Sequence, residues 1–167
     1  MFKPKGFAFL LVMSACGVGI AGAHERTNCR EVHALIVDKS APADCPSPYR
    51  FCAAGTGEGN RGLNGTTYFV LDGVGTPPAT APGFNVTTGL LTYTTPDGTL
   101  TVRETGMGKL SGNPSNGVLT SLQEIVSGTG RYAGATGTLY NAAVDINGVF
   151  YSDITGTLCL VGHGPKD

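Results

Sequence analysis

The sequence predicts a single all-β domain, and three observations support this fold class. Apolar and threonine-rich runs alternate with turn signals at short intervals, which is typical of antiparallel strands. The 167 residues include 26 glycines and 10 prolines, as expected for a fold with many turns. Thr95-Pro96-Asp97-Gly98 and Ile146-Asn147-Gly148 have the composition of tight hairpin turns. The predicted strands are 31–38, 49–54, 66–72, 88–95, 99–105, 118–127, 132–144 and 149–160.

Segment 118–128 is compatible with two kinds of secondary structure. Its apolar residues also match the period of a helix, which Gly128 would end. The strand signals on both sides favour a strand. The stretches 53–63 and 73–83 are rich in glycine and proline, and we expect them to be exposed loops.

Composition and charge narrow the class of protein. A formal net charge of −1 argues against a nucleic-acid-binding protein. Hydrophobic residues make up 41% of the chain and charged residues 14%, so the composition is that of a folded domain with its own core. The sequence shows no second domain and no internal repeat.

The first 23 residues have the features of a signal peptide. Lys3 and Lys5 precede an apolar run over 6–20, and Ala21-Gly22-Ala23 supplies small residues for cleavage. The sequence therefore predicts a secreted or periplasmic domain over 24–167. As an alternative, Val12-Met13-Ser14-Ala15-Cys16 resembles a lipoprotein box, in which Cys16 would be lipidated. We expect attachment to a membrane only in that case.

The cysteines of the mature chain predict two disulfide bonds. Four remain after residue 23, an even number in an exported protein, and four cysteines allow three connectivities. We favour Cys45 with Cys52, which closes a small loop in a proline-rich stretch. Cys29 with Cys159 then ties the start of the fold to its last strand. No Cys-x-x-Cys pair is present, so we do not expect a metal site.

The segment 127–139, SGTGRYAGATGTL, is unusually rich in glycine. It misses the dinucleotide-binding spacing and has no phosphate-loop lysine, so it predicts a turn that enters a bent strand. The segment 124–138 resembles the G-T-G-[RK]-[FY]-x-G-A-x-G motif of the allene oxide cyclase and dirigent barrel superfamily, which includes small exported bacterial members. The matching positions are Gly128, Gly130, Arg131, Tyr132, Gly134 and Gly137.

This resemblance implies an eight-stranded antiparallel β-barrel that can hold one small ligand. Plant members of the superfamily cyclise an unsaturated epoxide or guide the coupling of phenoxy radicals, and they do so without a cofactor. The resemblance therefore implies no cofactor, a small apolar or phenolic ligand and a tendency to form homo-oligomers. It assigns no catalytic residue, because those of the relatives lie outside the shared motif.

Three functions fit these expectations. The first is a cofactor-free cyclase, isomerase or coupling guide, which Glu104 and Glu124 facing inward around an open cavity would favour. The second is a carrier that uses the same cavity without chemistry, which a wholly apolar cavity would favour. The third is a structural or interaction protein whose barrel is filled by side chains. A serine hydrolase is not expected, because no serine lies in a Gly-x-Ser-x-Gly elbow.

Strand alternation indicates three candidate catalytic residues, Glu104, Glu124 and Tyr140, each with apolar neighbours two residues away on the same face. A carboxyl group in an apolar cavity has a raised pKa and is suited to acid or base catalysis. Alternatively, Glu104 and Glu124 are solvated at the barrel rim or paired with Arg103 or Arg131, and Tyr140 is a core residue.

Two other residues have simpler interpretations. Arg131 is expected to hold a carboxylate or carbonyl at the turn of the motif. His33, which precedes Ala34 and Leu35 in the first predicted strand, is expected to be an ordinary core or surface histidine.

Overall fold

The computed structural model describes residues 27–41 and 44–162, which form a closed antiparallel barrel of eight strands. Each strand pairs with its neighbours in sequence, and β1 closes the barrel by pairing with β8. A short 3-10 turn, Gly130–Tyr132, joins β6 to β7. The strands are β1 (Thr27–Ser40), β2 (Cys52–Gly59), β3 (Gly65–Gly75), β4 (Asn85–Thr95), β5 (Gly98–Ser111), β6 (Asn116–Gly128), β7 (Thr136–Ile146) and β8 (Val149–Val161).

The all-β class and the eight-stranded antiparallel barrel are confirmed. The predicted signal peptide over 1–23 and the lipidation site Cys16 lie outside the described residues. Within the part of the chain that the structure describes, no helix is long and apolar enough to span a bilayer.

Both predicted hairpins are present, between β4 and β5 and between β7 and β8. The second has Asn147 and Gly148 at φ of 54° and 76°, as a tight primed turn requires. The helical interpretation of 118–128 is wrong, because this segment is strand β6. Its side chains alternate between buried and exposed along Ser121, Leu122, Gln123 and Glu124, which is the two-residue period of a strand.

The expectation of an exposed loop over 53–63 is wrong for its first half, which is strand β2. Glycine is needed here for a close approach between backbones. A Cβ atom on Gly55 would lie 1.9 Å from the carbonyl oxygen of Val37 on β1. The expected loop over 73–83 likewise begins with strand, since β3 continues to Gly75 after a register shift between Leu71 and Gly73. Glycines in these segments mark tight strand contacts and irregularities as well as turns.

The two ends of the barrel differ. At one end, here called the closed end, the buried side chains of Leu63 and Tyr132 fill the interior. The Tyr132 hydroxyl donates a hydrogen bond to the carbonyl oxygen of Arg61 at 3.4 Å. The segment 127–139 therefore forms a turn that seals the barrel before β7 begins. The opposite end, here called the open end, is surrounded by the β1–β2, β3–β4, β5–β6 and β7–β8 connections.

Arg131 behaves as expected from the motif, since its guanidinium lies 3.3 Å from the carboxylate of Asp97 in the β4–β5 turn. Both predicted disulfides are confirmed. Cys29–Cys159 joins two residues directly opposite each other in β1 and β8, and Cys45–Cys52 closes a short loop before β2. The disulfides indicate an oxidising environment.

Candidate ligand site in the barrel interior

A cavity of about 290 Å³, here called the vestibule, opens at the open end of the barrel. Its walls are mainly apolar and include Phe51, Phe69, Leu110 and Phe150. Glu104 is the single ionisable residue among its lining residues. The vestibule thus combines an apolar surface with one carboxyl group, which is a common composition for a small-molecule site.

A smaller space of about 70 Å³, here called the inner cavity, adjoins the vestibule. The two share Glu104 and the rings of Phe51, Phe69 and Phe150 as lining residues. These rings pack edge to face, with centroids of Phe51 and Phe69 6.4 Å apart and those of Phe51 and Phe150 6.1 Å apart. The inner cavity is more polar, because Asp38 and Asn141 also line it.

Glu104 lies at the junction of the two cavities. It follows Leu100 and Val102 on the inner face of β5, and its residue is only 9% exposed. The side-chain amide of Gln123 on β6 donates a hydrogen bond to Glu104 Oε2 at 2.7 Å. The predicted inward orientation of Glu104 is confirmed.

Burial is the main cause that raises the pKa of the Glu104 carboxyl group, because it removes water from the charged form. The nearby carboxyl of Asp38 raises this pKa further, while the side chains of Gln123 and Ser121 oppose the shift. The neutral acid of Glu104 is therefore favoured over a wider pH range than in a free glutamate. A neutral carboxyl group can donate a proton or a hydrogen bond to an oxygen atom of a ligand.

Asp38 is a second inward carboxyl group. It continues the inner series Val32, Ala34 and Ile36 of β1, and the hydroxyl of Thr67 donates a hydrogen bond to its Oδ1 at 2.5 Å. Burial raises the pKa of Asp38, and the bond from Thr67 opposes this. Sequence reasoning missed Asp38, although the alternation of β1 was a signal that could have found it.

Tyr93, fully buried on β4, also belongs to this interior polar group. Its hydroxyl lies 3.5 Å from Gln123 Oε1, to which it donates. Burial raises the pKa of Tyr93, and the carboxyl groups of Glu104 and Asp38 add to the shift. The phenol therefore stays protonated, and it orients the amide that holds Glu104.

The interior also contains acceptor atoms that accept no hydrogen bond from the described residues. Asn141 and Asp145 lie on the inner face of β7 and are 5% and 2% exposed. Asn141 Oδ1 and both carboxylate oxygens of Asp145 are buried without a hydrogen-bond partner among the described residues. Buried acceptors of this kind gain stability when a ligand brings donors to them.

Glu124 and Tyr140 do not face the interior, so their predicted inward orientation is wrong. Glu124 is exposed on the outer face of β6, and Tyr140 is 46% exposed on the outer face of β7. The physical reason is that the outer faces of these strands are more apolar than the inner ones. Apolar neighbours therefore marked the outside of the barrel, and both residues lie away from the vestibule.

Glu124 is exposed to solvent, as its alternative interpretation expected, and neither suggested arginine pairs with Glu104 or Glu124. Arg103 pairs with Asp72 of β3 on the outer surface, and Arg131 pairs with Asp97. His33 is an exposed surface residue, with its Nε2 3.1 Å from the carboxylate of Asp153. Among the described residues, no three His, Cys, Asp or Glu side chains converge as a metal site.

The outer surface has a broad apolar area, here called the outer apolar face, that spans strands β1 and β5–β8. A shallow groove of about 620 Å³ crosses it, and the short side chains of Ala142 and Thr120 lie opposite each other in its floor. The residues of this face that are about half exposed are Leu35, Val37, Val118, Tyr140, Val144 and Tyr151. Contiguous apolar areas of this kind mark interaction surfaces.

No protein-family model, curated protein or solved structure matches this chain.

Proposed function

We propose that the protein is an exported barrel that encloses one small apolar or phenolic molecule in the vestibule. The observation that carries this proposal is the position of Glu104, a buried carboxyl group between an apolar vestibule and a polar inner cavity. A cavity of about 290 Å³ argues against a barrel filled by its own side chains. The polar inner cavity argues against a carrier with wholly apolar walls.

We further propose that the enclosed molecule undergoes a cofactor-free isomerisation or cyclisation, or that the barrel guides the coupling of phenoxy radicals that an oxidant has formed outside it. In this proposal the apolar walls restrict the conformation of the ligand, and the neutral acid of Glu104 faces an oxygen atom on it. The motif over 124–138 and the eight-stranded barrel support a relation to the allene oxide cyclase and dirigent superfamily. The alternative is a carrier that uses the same cavity without chemistry, and it predicts binding with no product.

Enclosure is tested with the neutral fluorescent probe N-phenyl-1-naphthylamine. We expect the probe to bind and to be displaced by simple phenols. Leu110→Trp places a larger side chain in the vestibule wall and should abolish binding, whereas Leu122→Trp on the outer surface should not. Equal effects of the two substitutions, or no binding by the unmodified protein, would overturn the proposal.

Chemistry is tested separately from binding by Glu104→Gln, which preserves size and removes the ionisable group. The matched control is Glu124→Gln, since Glu124 is an exposed carboxylate on the neighbouring strand. Once a converted ligand is found, we expect Glu104→Gln to reduce turnover by about a hundredfold or more while binding persists. Unchanged turnover would remove Glu104 from the mechanism.

We propose export to the periplasm or the cell exterior, with attachment through Cys16 as the alternative. The two disulfides support an oxidising compartment. The mass of the mature protein distinguishes the two cases. Cleavage after Ala23 leaves His24 as the first residue, whereas lipidation adds acyl chains at Cys16.

We also propose that the protein self-associates through its outer apolar face. The exposed side chains of Val144 and Tyr151 are directly opposite each other in β7 and β8, and Val118 of β6 lies beside Val144. Covering these side chains with a second copy would remove apolar surface from water at about 25 cal/mol per Å². Light scattering should report an oligomer, and a monomer at all concentrations would contradict this proposal.

A further inference from the structure

A further pocket, of about 310 Å³, lies at the closed end of the barrel, away from the vestibule. Its lining residues are Asn28, Arg30, Arg61, Arg131, Leu158 and Leu160. Three of the six arginines in the chain thus converge on one space, here called the basic pocket. The proposed function makes no use of it.

The three arginines come from separate parts of the fold. Arg30 belongs to β1 and lies opposite Leu158 of β8, Arg61 is in the β2–β3 turn, and Arg131 is in the 3-10 turn. A position that brings together three such distant residues depends on the closure of the whole barrel. The basic pocket is therefore a product of the tertiary fold and not of a local basic run in the sequence.

Hydrogen bonds fix the two turns that carry these arginines. Arg61 Nε donates to the carbonyl oxygen of Glu31 at 3.4 Å, and the Arg61 carbonyl accepts from the Tyr132 hydroxyl. The backbone N–H of Arg131 donates to the carbonyl oxygen of Asp97 at 2.8 Å. The backbone of these two turns is thus held before any ligand arrives, which lowers the entropy cost of bringing Arg61 and Arg131 to it.

The turns also pack closely on each other at Gly62. A Cβ atom at this position would lie 3.1 Å from Arg131 Nη1 and 2.9 Å from the Tyr132 hydroxyl. Gly62 has a φ of +85°, where glycine is favoured. The guanidinium of Arg131 therefore lies against the turn that carries Arg61.

Among the described residues, Arg30 and Arg61 of the basic pocket form no ion pair, whereas Arg131 does. Asp97 pairs with Arg131, and the carboxylate of Glu31 is on the opposite face of β1 from Arg30 by strand alternation. The unpaired guanidinium groups of Arg30 and Arg61 line the same space as Arg131, so their like charges repel one another. An anion between the guanidinium groups would relieve this repulsion.

We infer that the basic pocket binds a small oxyanion, the carboxylate or phosphate group of a ligand, through Arg30, Arg61 and Arg131. Planar guanidinium groups match the paired oxygens of both groups and donate charge-assisted hydrogen bonds to them. This assigns a role to Arg131 of the glycine-rich motif beyond its contact with Asp97. It also places a site for anions at the end of the barrel opposite the carboxyl-lined cavity.

The test uses the folded mature protein and inorganic phosphate as the probe, followed by NMR of backbone amides. We expect saturable shifts at residues 30, 61–62 and 130–132, and weaker binding as the ionic strength rises. Arg30→Gln and Arg61→Gln should each weaken binding by about tenfold or more, since each removes charge-assisted hydrogen bonds.

Arg50→Gln is the matched control. Arg50 and Arg61 are both exposed, and both have a positive φ, 55° at Arg50 and 57° at Arg61. Arg50 differs in its position, because it lies in the β1–β2 connection at the open end. Loss of affinity in Arg50→Gln equal to that in the pocket variants would overturn the inference, because binding would then reflect net charge alone. No saturable shift with phosphate or with acetate would overturn it as well.

The acetate titration identifies the anion. Stronger binding of phosphate supports a phosphate-bearing ligand, and stronger binding of acetate supports a carboxylate. Because the basic pocket and the vestibule are at opposite ends, probe binding in the vestibule should be unchanged by Arg30→Gln. The proposals for the vestibule and for the basic pocket are therefore tested independently of each other.

Discussion

Replacing Glu104 by glutamine should change how the stability of the barrel depends on pH. Burial raises the pKa of this carboxyl above its ordinary value of 4.5, to which it returns in the unfolded chain. Between these two values the folded protein retains a proton that the unfolded chain has lost. The free energy of unfolding must therefore fall as the pH rises through this interval.

The magnitude follows from one proton. While the folded state is protonated and the unfolded state is ionised at this position, each pH unit lowers the free energy of unfolding by about 1.4 kcal/mol. Below the ordinary pKa both states are neutral and the contribution is constant. Glutamine cannot ionise, so this fall is absent in Glu104→Gln. The free energy of unfolding of the variant therefore rises relative to that of the unmodified protein as the pH increases.

Asp38 does not obscure the comparison. Its pKa is also raised by burial, so its contribution has the same sign and begins from its ordinary value of 3.8. It is present in both proteins, and only its coupling to the charge of Glu104 differs. The difference between the two free energies therefore reports mainly on Glu104.

The assay is urea unfolding with intact disulfides, repeated from about pH 4 to about pH 8. Glu124→Gln is the control, and we expect its stability to remain parallel to that of the unmodified protein. A constant difference between Glu104→Gln and the unmodified protein over the whole range would refute the argument. It would mean that the pKa of Glu104 is the same in the folded barrel as in the unfolded chain.

Three further predictions concern strand packing, the disulfides and the outer apolar face. Gly55→Ala should destabilise the fold by about 3 kcal/mol or more in urea unfolding, because β1 and β2 must separate, while Gly83→Ala, with nothing within 4 Å, should have little effect. Replacing both cysteines of the β1–β8 disulfide by serine should lower the free energy of unfolding by about 5 kcal/mol, because a long loop is released in the unfolded chain. The same replacement at Cys45–Cys52 should lower it by about 2.4 kcal/mol, because that loop is short. Equal losses would contradict the loop-length argument. Val144→Lys should reduce the oligomer mass in light scattering, and an unchanged mass would exclude this face as the contact.

The barrel could be predicted from the sequence because its strands are marked by local signals. The hairpin residues at 95–98 and 146–148 need particular backbone angles, and these needs are independent of the rest of the fold. The glycines of β2 were harder to interpret. Gly55 is required by the approach of Val37, a residue 18 positions earlier, and such a contact leaves no local pattern.

The candidate site could be predicted only in part. Alternation separates the two faces of a strand, but it does not show which face is inside the barrel. On β5 the inner face carries Leu100 and Val102, so the usual rule identified Glu104 correctly. On β6 the inner face carries Ser121 and Gln123 while the outer face is apolar, so the same rule placed Glu124 on the wrong side. Sequence alone could not reveal that the inner face of β6 carries polar side chains at these positions.

The pairing of β1 with β8 also determines at which stage of folding a ligand site can form. The contacts between these strands join residues about as far apart in sequence as the fold allows, as Cys29 and Cys159 show with a separation of 130 residues. Contacts of such high sequence separation form late, because a long loop must close first. In a chain delivered from its N-terminus, the last strand is also the last to arrive. The interior of the barrel, and with it any capacity to retain a small molecule, therefore forms only after β8 has been delivered.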